Sequence, residues 1–306
     1  MYSTVRHASH VVHGYVGNKC AVFPLQLLGF DVDAVNSVQF SNHTGYPTVR
    51  GHKLDGPGLW ELVEGLQSNG LLQYTHLLTG YIGSASLLKT IVRLVELLRR
   101  QNPELTYVCD PVMGDDGRLY VPEDAAAVYG EAIVPLASVL TPNQFEAERL
   151  TGREIRSEGD ALAACRALHE RGPATVVITS VSLPSARGET LLVASTSLPQ
   201  ADGSWQALKL RIPRVDGYFT GTGDLMTTLL LARLHERPDN LRAAVEAAVA
   251  GLQAVLLRTI EAAGDAAHSI EATSEVARLR ELRIVQNQHL LRNPEVKLFA
   301  EALEPT

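Results

Sequence analysis

Phe219-Thr220-Gly221-Thr222-Gly223-Asp224, followed by the apolar run Leu225 to Leu234, reads as a tight glycine loop opening a buried helix. Glycine lets the backbone turn where a Cβ would clash, and lets another group approach the main chain closely. The first N–H groups of a helix lack partners within it, and the helix dipole places about half a positive charge there. Such a loop receives anions, phosphate above all. Asp224 is the odd member, because a carboxylate repels a phosphate unless it has a task beside it. One plain task is capping the helix start. The local sequence leaves open whether it has another.

Outward from that loop, strand and helix patterns alternate. Thr175-Val-Val-Ile-Thr-Ser180, Thr106-Tyr-Val-Cys-Asp110, Ser138-Val-Leu-Thr141 and Tyr74-Thr-His-Leu-Leu-Thr-Gly-Tyr81 read as short strands. Helical spacing marks residues 59–66, 84–100 behind a capping Ser84, a segment from near Pro122, 143–150, and a helix capped at Ser157 that runs to His169. Nearer the start, 16–28 is helical, Gly29 ends it, and 31–37 is a strand. Residues 190–195 and 205–212 pair antiparallel around the turn 200–204, and helices are expected after Asp224, over 240–262 and over 269–291. The alternation predicts an α/β fold, a mostly parallel central sheet with helices on both faces. It spans 1–306 as one domain, with residues 41–57, rich in Gly, Pro, His and Asn, as a flap. In such sheets ligands sit beyond the carboxyl ends of the strands. Those ends carry Thr79-Gly-Tyr81, Asp110, Thr141 and Thr179-Ser180, which points to one cleft.

The formal net charge of −7 leaves no basic footprint for nucleic acid or an anionic membrane. Cys20, Cys109 and Cys165 are scattered, without a CxxC pair, which fits a reducing cytoplasmic compartment. No uninterrupted apolar run reaches the ~18 residues of a membrane span, and the first residues lack an apolar signal core. His7, His10 and His13, with Cys20 nearby, invite a zinc reading. At i, i+3 spacing, however, they would fall along one ridge with no second ligand cluster. Gly14-Tyr-Val-Gly17-Asn-Lys19 does not meet the P-loop spacing.

Two constellations carry chemistry. Asp110-Pro-Val-Met-Gly-Asp115 offers two carboxylates on a loop after a strand, the usual means of holding Mg²⁺ beside a phosphate, directly or through water. A surface turn with a capping Asp is the plainer account, but the apolar Val-Cys before Asp110 favours function, since ionised carboxylates are seldom buried without a partner. In Thr141-Pro-Asn-Gln-Phe-Glu146, Asn143 and Glu146 form a capping box. The same spacing puts an amide and a carboxylate at one helix mouth facing the cleft, and both readings can hold together.

Several motifs run in order over most of the chain: Ser9-His10-Val-x-x-Gly14-Tyr-Val-Gly-Asn18, Val35-Asn-Ser-Val-Gln-Phe-Ser-Asn-His-Thr-Gly-Tyr46, Leu78-Thr-Gly-Tyr81, Tyr107-Val-Cys-Asp-Pro-Val112, Tyr120-Val-Pro-Glu-Asp124, Thr141-Pro-Asn-Gln-Phe-Glu-Ala-Glu148, Val176-Val-Ile-Thr-Ser180 and Gly221-Thr-Gly-Asp224. Together they resemble the pyridoxal kinase family of the ribokinase-like superfamily. The resemblance implies transfer of the ATP γ-phosphoryl group to the 5′-hydroxymethyl of pyridoxal, pyridoxine or pyridoxamine. It implies Asp224 as the base, with the N–H groups of Gly221, Thr222 and Gly223 as the anion hole. Ser9 and Thr44 would hydrogen-bond the pyridine, and Val16, Phe40, His43 and Tyr81 would wall it. Asp110, Thr141 and Thr179 match a K⁺ or Na⁺ site, and Asp115 and Glu146 match Mg²⁺ positions. Asn143, Thr179, Ser180, Val215, Thr222 and Gly223 match nucleotide contacts, with Tyr120 on a covering loop. A homodimer is the family's implied assembly.

Three departures carry expectations. Ser3-Thr-Val-Arg-His-Ala8 stands where relatives have an apolar first strand, so that strand is expected to be weakly built. Asp115 and Tyr120 lie close together, which shortens the nucleotide-covering loop. Thr220 replaces an apolar residue before Gly-Thr-Gly, so the substrate wall is more polar unless that Thr faces backbone. The competing functions are hydroxymethylpyrimidine kinase, against which 40–46 speaks, and a binding protein of the same fold without turnover.

Overall fold

Short apolar runs, each cut off by Gly, Pro or a polar residue, form the strands of the computed structural model, which describes residues 2–115, 117–183, 188–197, 205–215, 217–271 and 273–304. In chain order the elements are β1 (Tyr2–Val11), α1 (Asn18–Leu27), β2 (Phe30–Phe40), β3 (Gly51–Lys53), α2 (Gly56–Ser68), β4 (His76–Thr79), α3 (Ala85–Gln101) and β5 (Thr106–Cys109). There follow β6 (Gly114–Asp115), β7 (Arg118–Leu119), α4 (Glu123–Val128), β8 (Val139–Leu140), α5 (Gln144–Thr151), α6 (Glu158–His169), β9 (Thr175–Val181), β10 (Glu189–Ser197) and β11 (Trp205–Pro213). The chain closes with α7 (Thr222–Glu236), α8 (Leu241–Ala263), α9 (Ser274–Leu279), α10 (Gln288–Arg292) and β12 (Glu301–Ala302).

One sheet runs β12-β11-β10-β9-β8-β5-β4-β1-β2-β3, and β6 with β7 makes a separate hairpin. From β2 to β9 every neighbouring pair is parallel, while β3, β10, β11 and β12 are antiparallel edges. Side-chain alternation explains why helices cover both faces. In β9, Val176 and Ile178 enter one core with residues of α2, α3 and α6, whereas Val177 enters the other with residues of α7 and α8. In β10, Leu191 and Val193 join the first core, Leu192 and Ala194 the second. Each buried Val, Leu or Ile among them contributes roughly 1.5–3 kcal/mol of hydrophobic stabilisation.

Four expectations need correction. β1 is a full ten-residue strand, paired with β2 on one side and β4 on the other, not a weak edge. The three histidines therefore lie on and just beyond a strand, not along a helical ridge: His7 is buried, His10 half-buried and His13 exposed. The expected helix over 269–291 is two short helices, α9 and α10, joined by an irregular stretch that carries Glu281. Residues 41–57 are not wholly irregular, since β3 adds a sheet edge and α2 begins at Gly56 behind an Asp55 cap. The turn expected at 200–204 lies outside the described residues, although β10 and β11 pair antiparallel as read.

By length and hydropathy one helical stretch, Leu241–His268, could cross a membrane. Arg242, Glu246 and Arg258 interrupt its apolar residues, and its buried Leu241, Val245, Ala248 and Val249 belong to the same core as Leu225 and Leu229 of α7. Burial in a protein core is thus its observed role.

His7 is fully buried, and neither ring nitrogen has a hydrogen-bond partner among the described residues. Burial, followed by the charge of Arg6, pushes its pKa down to about 4. The unfolded chain therefore binds this proton first, so stability falls as pH drops from about 6.5 towards 4. His7→Leu is expected to raise Tm on the order of 2–5 °C near neutral pH and by more at pH 5, read by thermal melts.

Candidate active site

The glycine loop enters α7 with Gly221 as N-cap in the left-handed region, φ 84° and ψ 0°. A Cβ there would run into the Tyr15 carbonyl oxygen and lie 2.8 Å from the Cys20 Sγ, so only glycine fits. Gly223 has nothing within 4 Å of such a Cβ. The N-cap receives no side-chain hydrogen bond, and Asp224 does not cap its own helix. Its Oδ2 accepts from the Gly17 N–H at 2.8 Å, and its Oδ1 accepts from Arg6 Nη2 at 3.0 Å. The plain capping account of Asp224 is thereby removed. The carboxylate, 18% exposed, is held from outside by β1 and the turn before α1.

Beside this loop lies a cleft of about 660 Å³ at the carboxyl ends of the strands. Asp115, Asn143, Thr179, Ser180 and Val215 line it together with Thr222 and Gly223. Sequence reading had assigned all of these to nucleotide or metal. Tyr120 is not among the residues that line it; its half-exposed side chain follows the β6–β7 hairpin. A second groove, about 780 Å³ between α2 and α3 around Trp60, Lys89 and Arg93, contains none of the expected site residues. Position at the strand ends, not size, marks the functional cleft.

Asp110, just past β5, is 6% exposed. Burial, then the charge of Asp224, pushes its carboxyl up to about 7, against the opposing pull of Arg6 and a hydrogen bond from Thr227. Thr227 also meets Thr141, hydroxyl to hydroxyl, at 2.9 Å. Glu146 is likewise buried, and burial followed by the Asp110 charge raises it well above the ordinary carboxyl range. Its oxygens accept from the Asn143 and Met113 N–H groups, each at 2.9 Å, while Asn143 Oδ1 accepts from the Glu146 N–H at 2.8 Å, so the capping box is real. Two buried carboxylates, Asp110 opposed only by Arg6 and Glu146 only by N–H donors, suit a cation. Because Glu146 already accepts several backbone N–H bonds, contact through water fits it better than direct coordination. Among the described residues no group of three or more His, Cys, Asp or Glu forms a protein-only cage. Mg²⁺ shared with substrate phosphates needs none.

The residues expected at the acceptor come from β1, the turn before α1, the end of β2 and the segments that follow β2 and β4. The Ser9 carbonyl packs against Gly17, and Val16 directly precedes Gly17. Phe40 ends β2 opposite Val11, and Tyr81 follows Gly80, where a Cβ would lie 3.4 Å from Asp224 Oδ1. Thr44 is exposed beside the buried His43. His43 Nδ1 accepts from the Gly45 N–H at 3.1 Å, which places its proton on Nε2. That N–H faces Glu281 Oε1 at 3.0 Å and the Thr220 hydroxyl at 3.1 Å. Thr220 is therefore part of a polar link between the glycine loop and His43, not a backbone-facing substitute.

Glu281 was missed by sequence reading. It also accepts from the Tyr46 hydroxyl at 2.9 Å and the Tyr15 N–H at 2.7 Å, and it leaves no room for a Cβ on Gly14. Burial works to raise its carboxyl, but the bonds from His43, Tyr15 and Tyr46 outweigh this and hold it below the ordinary value. Nothing in Arg278-Leu-Arg-Glu281 distinguishes this carboxylate from surface charge; only folding brings it to the flap. Glu281→Ala is expected to loosen the flap and raise KM for the acceptor by about 10-fold, with kcat changed far less, as steady-state kinetics would show.

A family described as Phosphomethylpyrimidine kinase matches residues 72–269. A pyridoxal kinase of Arabidopsis thaliana is 55% identical over 293 residues, 96% of this chain and 92% of that protein. The chain belongs to the pyridoxal kinase family. The human member is 47% identical over 303 residues, with 96% of each chain covered. A solved member of the family, pyridoxal kinase from Leishmania donovani in complex with ADP and pyridoxamine, superposes with a TM-score of 0.90 at 36% identity. That match covers 99% of this chain and 100% of the other. The ribokinase-like fold expected from the motifs is thus the observed fold.

Proposed function

We propose that the protein phosphorylates the 5′-hydroxymethyl group of pyridoxal, and of pyridoxine and pyridoxamine, at the expense of ATP. The observation that carries the reading is the Asp224 carboxylate at the mouth of α7, turned away from its own helix and held by Arg6 Nη2 and the Gly17 N–H. The names of the relatives and the nucleotide and vitamer bound in solved members support the same substrates.

Nucleotide lies in the cleft of Asn143, Thr179, Ser180 and Val215, with its γ-phosphate at the N–H groups of Gly221, Thr222 and Gly223. Ser9 and Thr44 hold the pyridine, while Val16, Phe40, His43 and Tyr81 surround it. Asp224 takes the proton of the acceptor hydroxyl as that oxygen bonds to the γ-phosphorus, and the bond from phosphorus to the ADP oxygen breaks. The helix mouth stabilises charge spreading over the transferred group. Asp115 and Glu146 would hold Mg²⁺, the latter through water, and Asp110, Thr141 and Thr179 a K⁺ or Na⁺. Ions so held would neutralise phosphate charge.

The same reading makes the protein a cytoplasmic homodimer, and three free, buried cysteines are consistent with a reducing compartment. ATP consumption with pyridoxal as acceptor, set against hydroxymethylpyrimidine, tests the function. Turnover confined to the pyrimidine, or no turnover with either, defeats the proposal.

A further inference from the structure

We propose that Arg6 is a positioning residue for the reaction: a buried guanidinium that fixes and charge-balances the catalytic carboxylate of Asp224. This rests on the kinase reading above and extends it to a residue that the motifs leave unexplained. A guanidinium in the middle of a central strand is costly, because desolvation penalises its charge before any pairing. Arg6 is completely buried, and that burial lowers its pKa from the ordinary arginine value even though Asp224 and Asp110 pull the other way. A side chain kept for structure alone would be expected to use its fork fully. Arg6 does not: only Nη2 has a partner, Asp224 Oδ1 at 3.0 Å, while Nε and Nη1 have none among the described residues.

The geometry is that of a clamp. Gly17 N–H holds Oδ2 from the turn before α1, and Arg6 holds Oδ1 from β1, so neither oxygen can rotate without losing a charge-assisted bond. Gly80, at the end of β4, makes room for it, since a Cβ there would lie 3.0 Å from Nη2. Each carboxylate oxygen keeps a lone pair free for the incoming proton. Charge makes the second half of the case. Asp110 is also buried and repels Asp224, and nucleotide phosphates add more negative charge to the same end of the sheet. Arg6 is the positive group common to both carboxylates. It keeps the Asp224 side chain oriented when the phosphates arrive. The expected apolar strand sequence is broken where the strand passes under the catalytic base.

The test is a double-mutant cycle of Arg6→Met and Arg6→Lys against Asp224→Asn, with pyridoxal as acceptor and melts to confirm folding. Arg6→Met is expected to lower kcat by about 10–100-fold, the scale of a misplaced reacting group, with both KM values within about threefold. Arg6→Lys, which keeps a charge but not the fork, is expected to recover part of that loss. In the Asp224→Asn background either change is expected to alter the residual kcat by less than about twofold, because Arg6 acts through that carboxylate. If Arg6→Met does not fold, Arg6→Lys carries the cycle, with an expected kcat loss of about 3–10-fold confined to the Asp224 background. An unchanged kcat in the single variant that folds, or an equal loss in both backgrounds, overturns the proposal. A wild-type protein inactive on pyridoxal defeats the kinase reading instead, so the two failures are distinct.

Discussion

Asp224→Asn is expected to lower kcat by about 10²–10⁴-fold, the range spanned by losing a general base. The amide keeps the size of the carboxylate, and its oxygen can still accept from the Gly17 N–H or from Arg6 Nη2, so the loop should hold its shape. It has no basic oxygen for the acceptor proton. KM for ATP should change little, because the nucleotide cleft is built from other residues. Asp224→Ala separates chemistry from structure. It removes the same base and also leaves the Arg6 charge buried without its partner, which typically costs about 3–5 kcal/mol. The alanine variant is therefore expected to be inactive and to melt well below the asparagine variant. An asparagine variant that keeps wild-type kcat would return Asp224 to a structural role.

Gly221→Ala and Gly223→Ala should differ sharply although the two glycines are only two residues apart. At Gly221 the backbone is left-handed, φ 84°, and the new methyl would meet the Tyr15 carbonyl and the Cys20 sulfur, 2.8 Å away. The loop has to move, taking with it the N–H groups proposed to bind phosphate. A kcat loss of about 10²–10³-fold is expected, the scale of losing an oxyanion donor, together with a clear fall in Tm. Gly223 has open space around the same position. Gly223→Ala should fold with normal stability, because the methyl projects where no protein atom stands. On the proposed reading that space belongs to nucleotide phosphate, so the expected effect is a KM for ATP raised by about 10-fold or more. Equal stability losses in both variants would contradict the geometry.

Much of this site was legible in the chain because its parts are local. The glycine loop, the capping box of Asn143 and Glu146, and the polar ends of the parallel strands each announce themselves within a few residues, since turn geometry, cap spacing and strand periodicity are short-range constraints. The parts that were misread depend on distance. The stretch 269–291 has helical periodicity, yet it breaks up where it must bring Glu281 to His43, Tyr46 and Tyr15. The first strand reads as weakly built, because the partner that makes Arg6 tolerable lies 218 positions away.

The order of strands and helices, the doubly covered sheet and the anion loop follow from the pattern of apolar, glycine and capping residues, for burial and backbone sterics act wherever those residues occur. Which carboxylate caps its own helix and which turns away from it does not follow, because both look alike in one dimension. Asp55 accepts from its own helix at the Gly58 N–H. Asp224 turns instead to Arg6 and Gly17, and that choice exists only once β1 and α7 have packed together and the low-dielectric interior has made an arginine its counter-ion.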